Sequence, residues 1–531
     1  MGELLPTGSK MSGVLARVPA HPLLFAAAVP LSLLASNIDQ VRSSVGIRAI
    51  LTVIFLSMAL WIVIRIISGE WRRAAVLASL LVVLFSTYGL AYNFIREAGE
   101  LGWELARHRY MLPVWLALIA ASILAIRRLS GEIPALTSVF NIIAAVLVIL
   151  PLTQIVRAEI GSAVAESKIA DPSEAALELT FSANDQPPDI YYIITDAYSR
   201  DDYLLSNYGY DNSQFLEGLE ELGFYVAQCS QSNYSQTGLS LASSMNLSYI
   251  EDLSDEFQAG KHHTHGLDKL IWQNRVMKEL RALGYSVAAF ETGFFYTQLE
   301  DADHYYEVPK KGSLSSFFSF SGINEFEALL IQNTGFRLLT DSANVFGALS
   351  EAVPTFGSIY RERTLYVLGQ LEADHVPALR GPKFVFVHLI APHFPYIFER
   401  DGDFYNVETE PSDKEPYVNQ LIYLNGRLEQ ILRDIIETSA TPPIIVLQAD
   451  HGNLNNDGER TAILNAYFLP ETEGHKLYSQ ISPVNTFRLI FDNYFGGDFG
   501  LLSDRSFYSS YEYPFDFISV ANTREDCGST Q

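Results

Sequence analysis

Cysteine is nearly absent, with two in 531 residues. That count excludes a disulfide framework and leaves at most one bridge, between Cys229 and Cys527, which sequence alone does not decide. Cys527 stands four residues from the end, in a stretch expected to fray, so no structural role is expected of it. Basic residues are scarce as well: 36 Lys and Arg face 61 Asp and Glu, for a net charge of −25. Residues 1–159 carry 13 basic against 8 acidic side chains, a balance of +5, whereas residues 160–531 carry 23 against 53, a balance of −30. An acidic domain of that size repels polyanions and argues against a nucleic-acid partner. An anionic substrate must then be drawn in by something local and positive, such as a metal ion. Solubility is the plainer explanation of the same charge. Internal repeats and low-complexity tracts are missing too.

Long apolar runs are abundant. They extend over about 22–35, 47–67, 74–92, 111–126 and 136–152. A membrane-spanning helix needs roughly 20 apolar residues, fewer where flanking side chains snorkel. The second and third runs qualify outright. The first is short and contains Pro30, and the fourth is short, so four and five spans are both open. Several further apolar runs follow the first, which excludes a cleaved signal peptide. With five spans and the N-terminus inside, the Arg72–Arg73 and Arg127–Arg128 pairs fall on the inner side. Arg96, Arg107 and Arg109 lie outside among Glu97, Glu100 and Glu104. This places the acidic part beyond the cytoplasmic face. The expected division is a membrane domain over 1–159, a linker over 160–188, a catalytic domain over 189–500 and a C-terminal tail over 501–531.

After the linker, short apolar runs alternate with helical patterns. Strands are expected at Ile190–Thr195, Ser286–Phe290, Phe384–Leu389, Ile444–Gln448 and Ala462–Leu469, with a short one in "FYVAQ". Several lack polar alternation, as strands buried on both faces do. Helices are expected over 212–222, 267–284 and 417–437. This alternation predicts an α/β sandwich, a mixed and mainly parallel sheet with helices on both faces. Ligands of such sheets sit at the carboxyl ends of strands.

Those strand ends hold the candidates. "IYYIITDAYS" ends in Asp196, which a turn or helix cap also explains. "KFVFVHLIAPHFPY" sets His388 within a strand and His393 in a loop stiffened by Pro392 and Pro395. "IIVLQADHGN" delivers Asp450 and His451, with Gly452 allowing a tight turn. Ala-Asp-His occurs three times, but the copies at 302–304 and 373–375 follow no buried strand. Two carboxylates, an imidazole and a hydroxyl suit one divalent ion, Zn or Mn ahead of Ca or Mg. "KHHTHG", with His262, His263 and His265, reads first as a solvated loop. The hydroxyl comes from "SNYSQTGLSLASSMN", where Thr237 falls at the start of a helix. A cap is the plain reading there. The same place also favours a developing alkoxide and then a bound phosphoryl group.

In their order along the chain, these motifs resemble the alkaline phosphatase and sulfatase superfamily. The likeness is to its membrane-anchored branch of lipoteichoic acid synthases and lipid A phosphoethanolamine transferases, and it covers roughly 189–495. The resemblance sets the register. In that family the nucleophile, Thr or a modified Cys, is followed nine residues later by a small polar residue. Nine residues beyond Thr237 stands Asn246. The formylglycine motif of true sulfatases needs Pro and Arg after its cysteine. Cys229 is followed instead by Gln231 and Asn233 at those places, which argues against that route to sulfate ester hydrolysis.

The resemblance implies a phosphothreonine route from a phospholipid donor to a glycan or lipid acceptor. Asp196, Thr237, Asp450 and His451 would hold the metal. His393, with His388, would bind phosphate or protonate the leaving group, and Arg460 and Asn453 would support substrate binding. A hydrolase of the same fold and a catalytically silent membrane scaffold are the competing readings. The sequons at Asn233 and Asn246 lie in the proposed active-site segment, which favours a bacterial setting over a glycosylating pathway.

Overall fold

A computed structural model describes residues 18–527 apart from 39–40, 99, 129–132, 170–178, 181–186, 265, 310–322, 342–352, 373–374, 406–411, 454–458, 471–476 and 525. The chain divides into two compact units, one of residues 1–160 with 310–356, the other of 161–309 with 357–531.

The first unit is helical. Four helices, Ser43–Ser68, Trp71–Arg96, His108–Arg128 and Ile133–Lys168, are long and apolar enough to cross a membrane. A shorter apolar helix, His21–Ser36, holds Pro30. The described part of 310–356 packs within this unit, although it follows strands of the other. The Asn324 side chain accepts from the Glu327 amide at 2.8 Å in a capping box, and Glu327 pairs with Arg48. Gly335 N–H donates to Phe85 O at 2.8 Å. Gly89 makes the approach possible, because a Cβ there would lie 2.2 Å from Gln332 O. The expected linker is helical through Lys168, and 170–178 and 181–186 lie outside the described residues.

The second unit is built on a mixed seven-stranded sheet: β1 (Ile190–Thr195), β2 (Tyr225–Val226), β3 (Ser286–Phe290), β4 (His304–Tyr306), β5 (Lys383–Leu389), β6 (Ile444–Gln448) and β7 (Asn465–Phe468). The spatial order is β2-β7-β6-β1-β5-β3-β4. β1 runs parallel to both β5 and β6, and β7 is antiparallel to β6. All residues of β1, β5 and β6 are buried, which is why their sequences are apolar without alternation. One core layer gathers Tyr192, Phe386, Val446 and Phe487, the other Tyr191, Val387, Leu447 and Leu428. Tyr192 keeps its hydroxyl satisfied by donating to Gln448 Oε1 at 2.9 Å.

The expected helix over 267–284 is two helices, Leu267–Trp272 and Arg275–Ala282. Between them Asn274 is extended and accepts from the Met277 amide at 2.8 Å, an N-cap worth about 1 kcal/mol. A second sheet pairs β8 (Ser506–Tyr508) with β9 (Ile518–Val520). The described part of the tail is therefore tied to the rest of the unit where fraying was expected, and Cys527 is bridged to Cys229.

Candidate active site

The site forms where the central strands β1, β5 and β6 end. Asp196 follows β1 and its amide donates to Leu389 O at 2.9 Å, which locks it beside the end of β5. Ala197 turns the chain away with φ 62°. Its amide, 3.3 Å from Asp450 Oδ1, ties the β1 turn to the β6 turn, and that oxygen also accepts from the His451 amide at 2.9 Å. Gly452 is required for space. Its amide donates to Arg460 O at 2.6 Å, and a Cβ would meet Ala462 O at 2.8 Å.

Thr237 is the first residue of helix Thr237–Asn246. The N-cap is Gln236, whose side chain makes no cap bond and instead donates to Ser509 O and Oγ, both at 3.1 Å. The capping role expected for Thr237 is thus not taken up, and the first amides of the helix keep no intrahelical acceptor. Asn246 closes the helix, donating to Ala242 O and Leu270 O at 2.8 Å.

His451 Nδ1 lies 3.0 Å from Gly452 O. A carbonyl only accepts, so Nδ1 carries the proton and Nε2 presents its lone pair. Thr237 Oγ1 lies 3.2 Å from that Nε2, Asp196 Oδ1 3.5 Å, Asp450 Oδ2 3.6 Å and Arg460 Nη2 3.1 Å. Burial pulls the His451 imidazole below its ordinary value, and Arg460 adds to this against Asp450 and Asp196. Burial would raise the Asp196 carboxyl. His393, His388 and His451 outweigh it and hold the group well below the usual carboxylate range.

Ligand atoms of Asp196, Asp450 and His451 lie within 4.8 Å of one another, all three residues buried. Asp196 Oδ1, Asp450 Oδ2 and His388 Nε2 are buried without a hydrogen-bond partner. An unsatisfied buried acceptor costs roughly 1–3 kcal/mol, more when charged. Two carboxylates, a neutral imidazole and an adjacent hydroxyl therefore fit a divalent cation.

The other expected residues separate. His388, inside β5, contacts Thr297 Oγ1 through Nδ1 at 2.9 Å, and its Nε2 is 3.5 Å from Asp196 Oδ2. The His393 ring centre is 6.2 Å from that of His451. Arg460 is 8% exposed and donates through Nε to Ser235 O at 2.6 Å. Asn453 is brought near through its amide bond to Ser199 Oγ, but its Nδ2 is committed to the hydroxyls of Tyr208 and Tyr396. His262 and His263 are exposed, and His265 lies outside the described residues. Asn233 and Asn246 are 0% and 3% exposed, so neither sequon presents its amide to solvent. Tyr511, whose hydroxyl is 3.4 Å from Arg460 Nη2, was not expected.

No protein-family model and no curated protein matches the chain. Solved structures are similar to it. The C-terminal periplasmic domain of EcEptC from Escherichia coli, in complex with Zn, shares 12% identity at a TM-score of 0.41, over 65% of this chain and 96% of that one. The integral membrane lipooligosaccharide phosphoethanolamine transferase A from Neisseria meningitidis shares 10% at 0.34, over 86% and 88%. The lipoteichoic acid synthase LtaP from Listeria monocytogenes shares 12% at 0.35, over 68% and 88%.

Proposed function

We propose that this protein is a membrane-anchored, metal-dependent phosphotransferase that moves a phospholipid headgroup to a cell-envelope acceptor through Thr237. The observation that carries the reading is Thr237 Oγ1 at an uncapped helix N-terminus, 3.2 Å from His451 Nε2 in a buried Asp-Asp-His cluster with orphaned oxygens. The four apolar helices would hold the chain in the membrane that supplies the donor, with the acidic unit outside the cytoplasm.

Asp196, Asp450, His451 and Thr237 would hold the ion, with Zn or Mn favoured. When bound, it supplies a lowered hydroxyl pKa and positive charge against the anionic substrate. Thr237 gives up its hydroxyl proton to water and Oγ1 attacks phosphorus, forming the O–P bond of a phosphothreonine diester while the P–O bond to diacylglycerol breaks. The departing oxygen takes a proton, for which His393, with His388, is the candidate acid. The free amides at the helix start and the Arg460 guanidinium bind the non-bridging oxygens. An acceptor hydroxyl then attacks phosphorus, giving up its proton as Thr237 Oγ1 leaves and regains one.

The test follows the headgroup. Full-length protein is reconstituted in vesicles of mixed phospholipids with a divalent ion, with and without an envelope glycolipid. Diacylglycerol release with the headgroup recovered on the glycolipid supports transfer. Free headgroup phosphate in both samples supports the hydrolase reading, and no release in either supports the scaffold.

A further inference from the structure

The segment after residue 500 is bound along the strand-like path that leads to the nucleophile. The Phe507 amide donates to Asn233 O at 2.9 Å, and the Ser509 amide lies 3.4 Å from Ser235 Oγ. Its far end is fastened at the start of the same path. Cys527 is bonded to Cys229, Asn522 Nδ2 donates to Cys229 O at 2.7 Å, and Arg524 Nη1 donates to Gln228 O at 3.0 Å. β8 and β9 are antiparallel, so 509–517 is the loop of a strap tied down at both ends.

Tyr511 stands in that loop. It is 71% exposed, yet its hydroxyl lies on Arg460. Crowding around that hydroxyl pushes the phenol up; Arg460 opposes this, and Asp196 and Asp450 add to it. A tyrosine kept for packing would bury its ring, and one kept for solubility would turn its hydroxyl to water. Tyr511 does neither: its ring is wet while its hydroxyl is turned to the Arg460 guanidinium. From Thr237 through His451 and Arg460 to Tyr511, hydrogen-bonding groups run from the nucleophile to solvent at separations of 3.2, 3.1 and 3.4 Å.

We propose that Tyr511 is a further substrate-binding residue, whose hydroxyl joins Arg460 in holding a non-bridging phosphoryl oxygen, and that the strap tied by Cys229–Cys527 positions it. The proposal rests on the phosphoryl-transfer reading of the site. A hydroxyl beside a guanidinium fits an oxyanion because both donate to one acceptor while the arginine supplies the charge.

The experiment measures orthophosphate binding by calorimetry to the full-length, metal-loaded chain. It compares wild type with Tyr511→Phe, Thr237→Ala and the double variant Cys229→Ser/Cys527→Ser, with thermal melts as the control for folding. Tyr511→Phe keeps the ring and is expected to bind orthophosphate about tenfold more weakly with an unchanged melt, as loss of one charge-assisted hydrogen bond gives. The double cysteine variant is expected to weaken binding in the same direction. Wild-type affinity in Tyr511→Phe overturns the proposal, as does absence of orthophosphate binding in wild type. Hydrolysis of bis(4-nitrophenyl) phosphate by the same preparations separates the two claims. Its loss in Thr237→Ala alone, with Tyr511→Phe binding normally, sinks the role of Tyr511 and leaves the nucleophile standing. Equal turnover in Thr237→Ala and wild type sinks the transfer reading itself.

Discussion

Thr237 Oγ1 and His451 Nε2 lie 3.2 Å apart although 214 residues separate them in sequence. The contact joins a helix start to the turn after β6, and both groups are buried. Because His451 Nδ1 is spent on Gly452 O, the nitrogen facing Thr237 presents its lone pair, toward which Arg460 Nη2 also points from 3.1 Å. A hydroxyl and a neutral imidazole so placed share a metal ion or a proton.

The ion should be a stability term as well as a cofactor. Ligand that binds only the folded state adds about 2.7 kcal/mol at a free concentration one hundred times Kd. Zinc or manganese is therefore expected to raise the melting temperature of wild type, and a chelator to reverse the rise. Asp450→Asn, which removes the charge at the orphaned Oδ2, is expected to melt at the same temperature with and without metal. Scanning calorimetry with elemental analysis checks both.

Gly452→Ala should damage the site through space alone. The added Cβ meets Ala462 O at 2.8 Å and Ser199 Oγ at 3.2 Å, so the backbone at Ala462, two residues beyond Arg460, must shift. Overpacking of this kind costs roughly 1–3 kcal/mol. Urea denaturation should report that loss, and turnover should fall more than the loss of stability explains.

The alkaline limit should be set by buried phenols. Burial first raises Tyr192, Tyr198, Tyr417 and Tyr467 above the ordinary value of about 10. A raised folded value means the native state holds its proton longer than the unfolded chain does. Their contribution is complete below about pH 10 and is lost as pH rises through the folded values. Tyrosinate absorbance should therefore lag behind that of the exposed phenols and appear together with loss of near-ultraviolet circular dichroism.

Much of the sheet was legible because β1, β5 and β6 are buried on both faces and leave unbroken apolar runs. Three strand ends then picked out Asp196, His388 and Asp450–His451. The helix break at Asn274 escaped because periodicity runs through it, while a single side-chain bond to Met277 decides it. β4 escaped because it is a three-residue strand at the sheet edge with an exposed His304. Asn453 follows the Asp450–His451 turn in sequence, yet its side-chain amide is drawn away by two tyrosine hydroxyls from distant segments. Tyr511 and the Cys229–Cys527 bridge had no local signal. Both depend on a strap that returns to a path almost 300 residues earlier, as the 298-residue separation of the cysteines shows. The packing of 324–341 within the N-terminal unit was equally hidden, since the helix Glu325–Gln332 resembles any surface helix until Arg48 is brought to Glu327.

The central claim is that Thr237 carries the headgroup covalently, and the mass of its peptide tests this most directly. Metal-loaded full-length protein is incubated with mixed phospholipids, quenched in acid and digested. An adduct of headgroup-phosphate mass on the Thr237 peptide, absent from Thr237→Ala, is the predicted result. Diacylglycerol release by metal-loaded protein with unmodified Thr237, and undiminished release by Thr237→Ala, would contradict it.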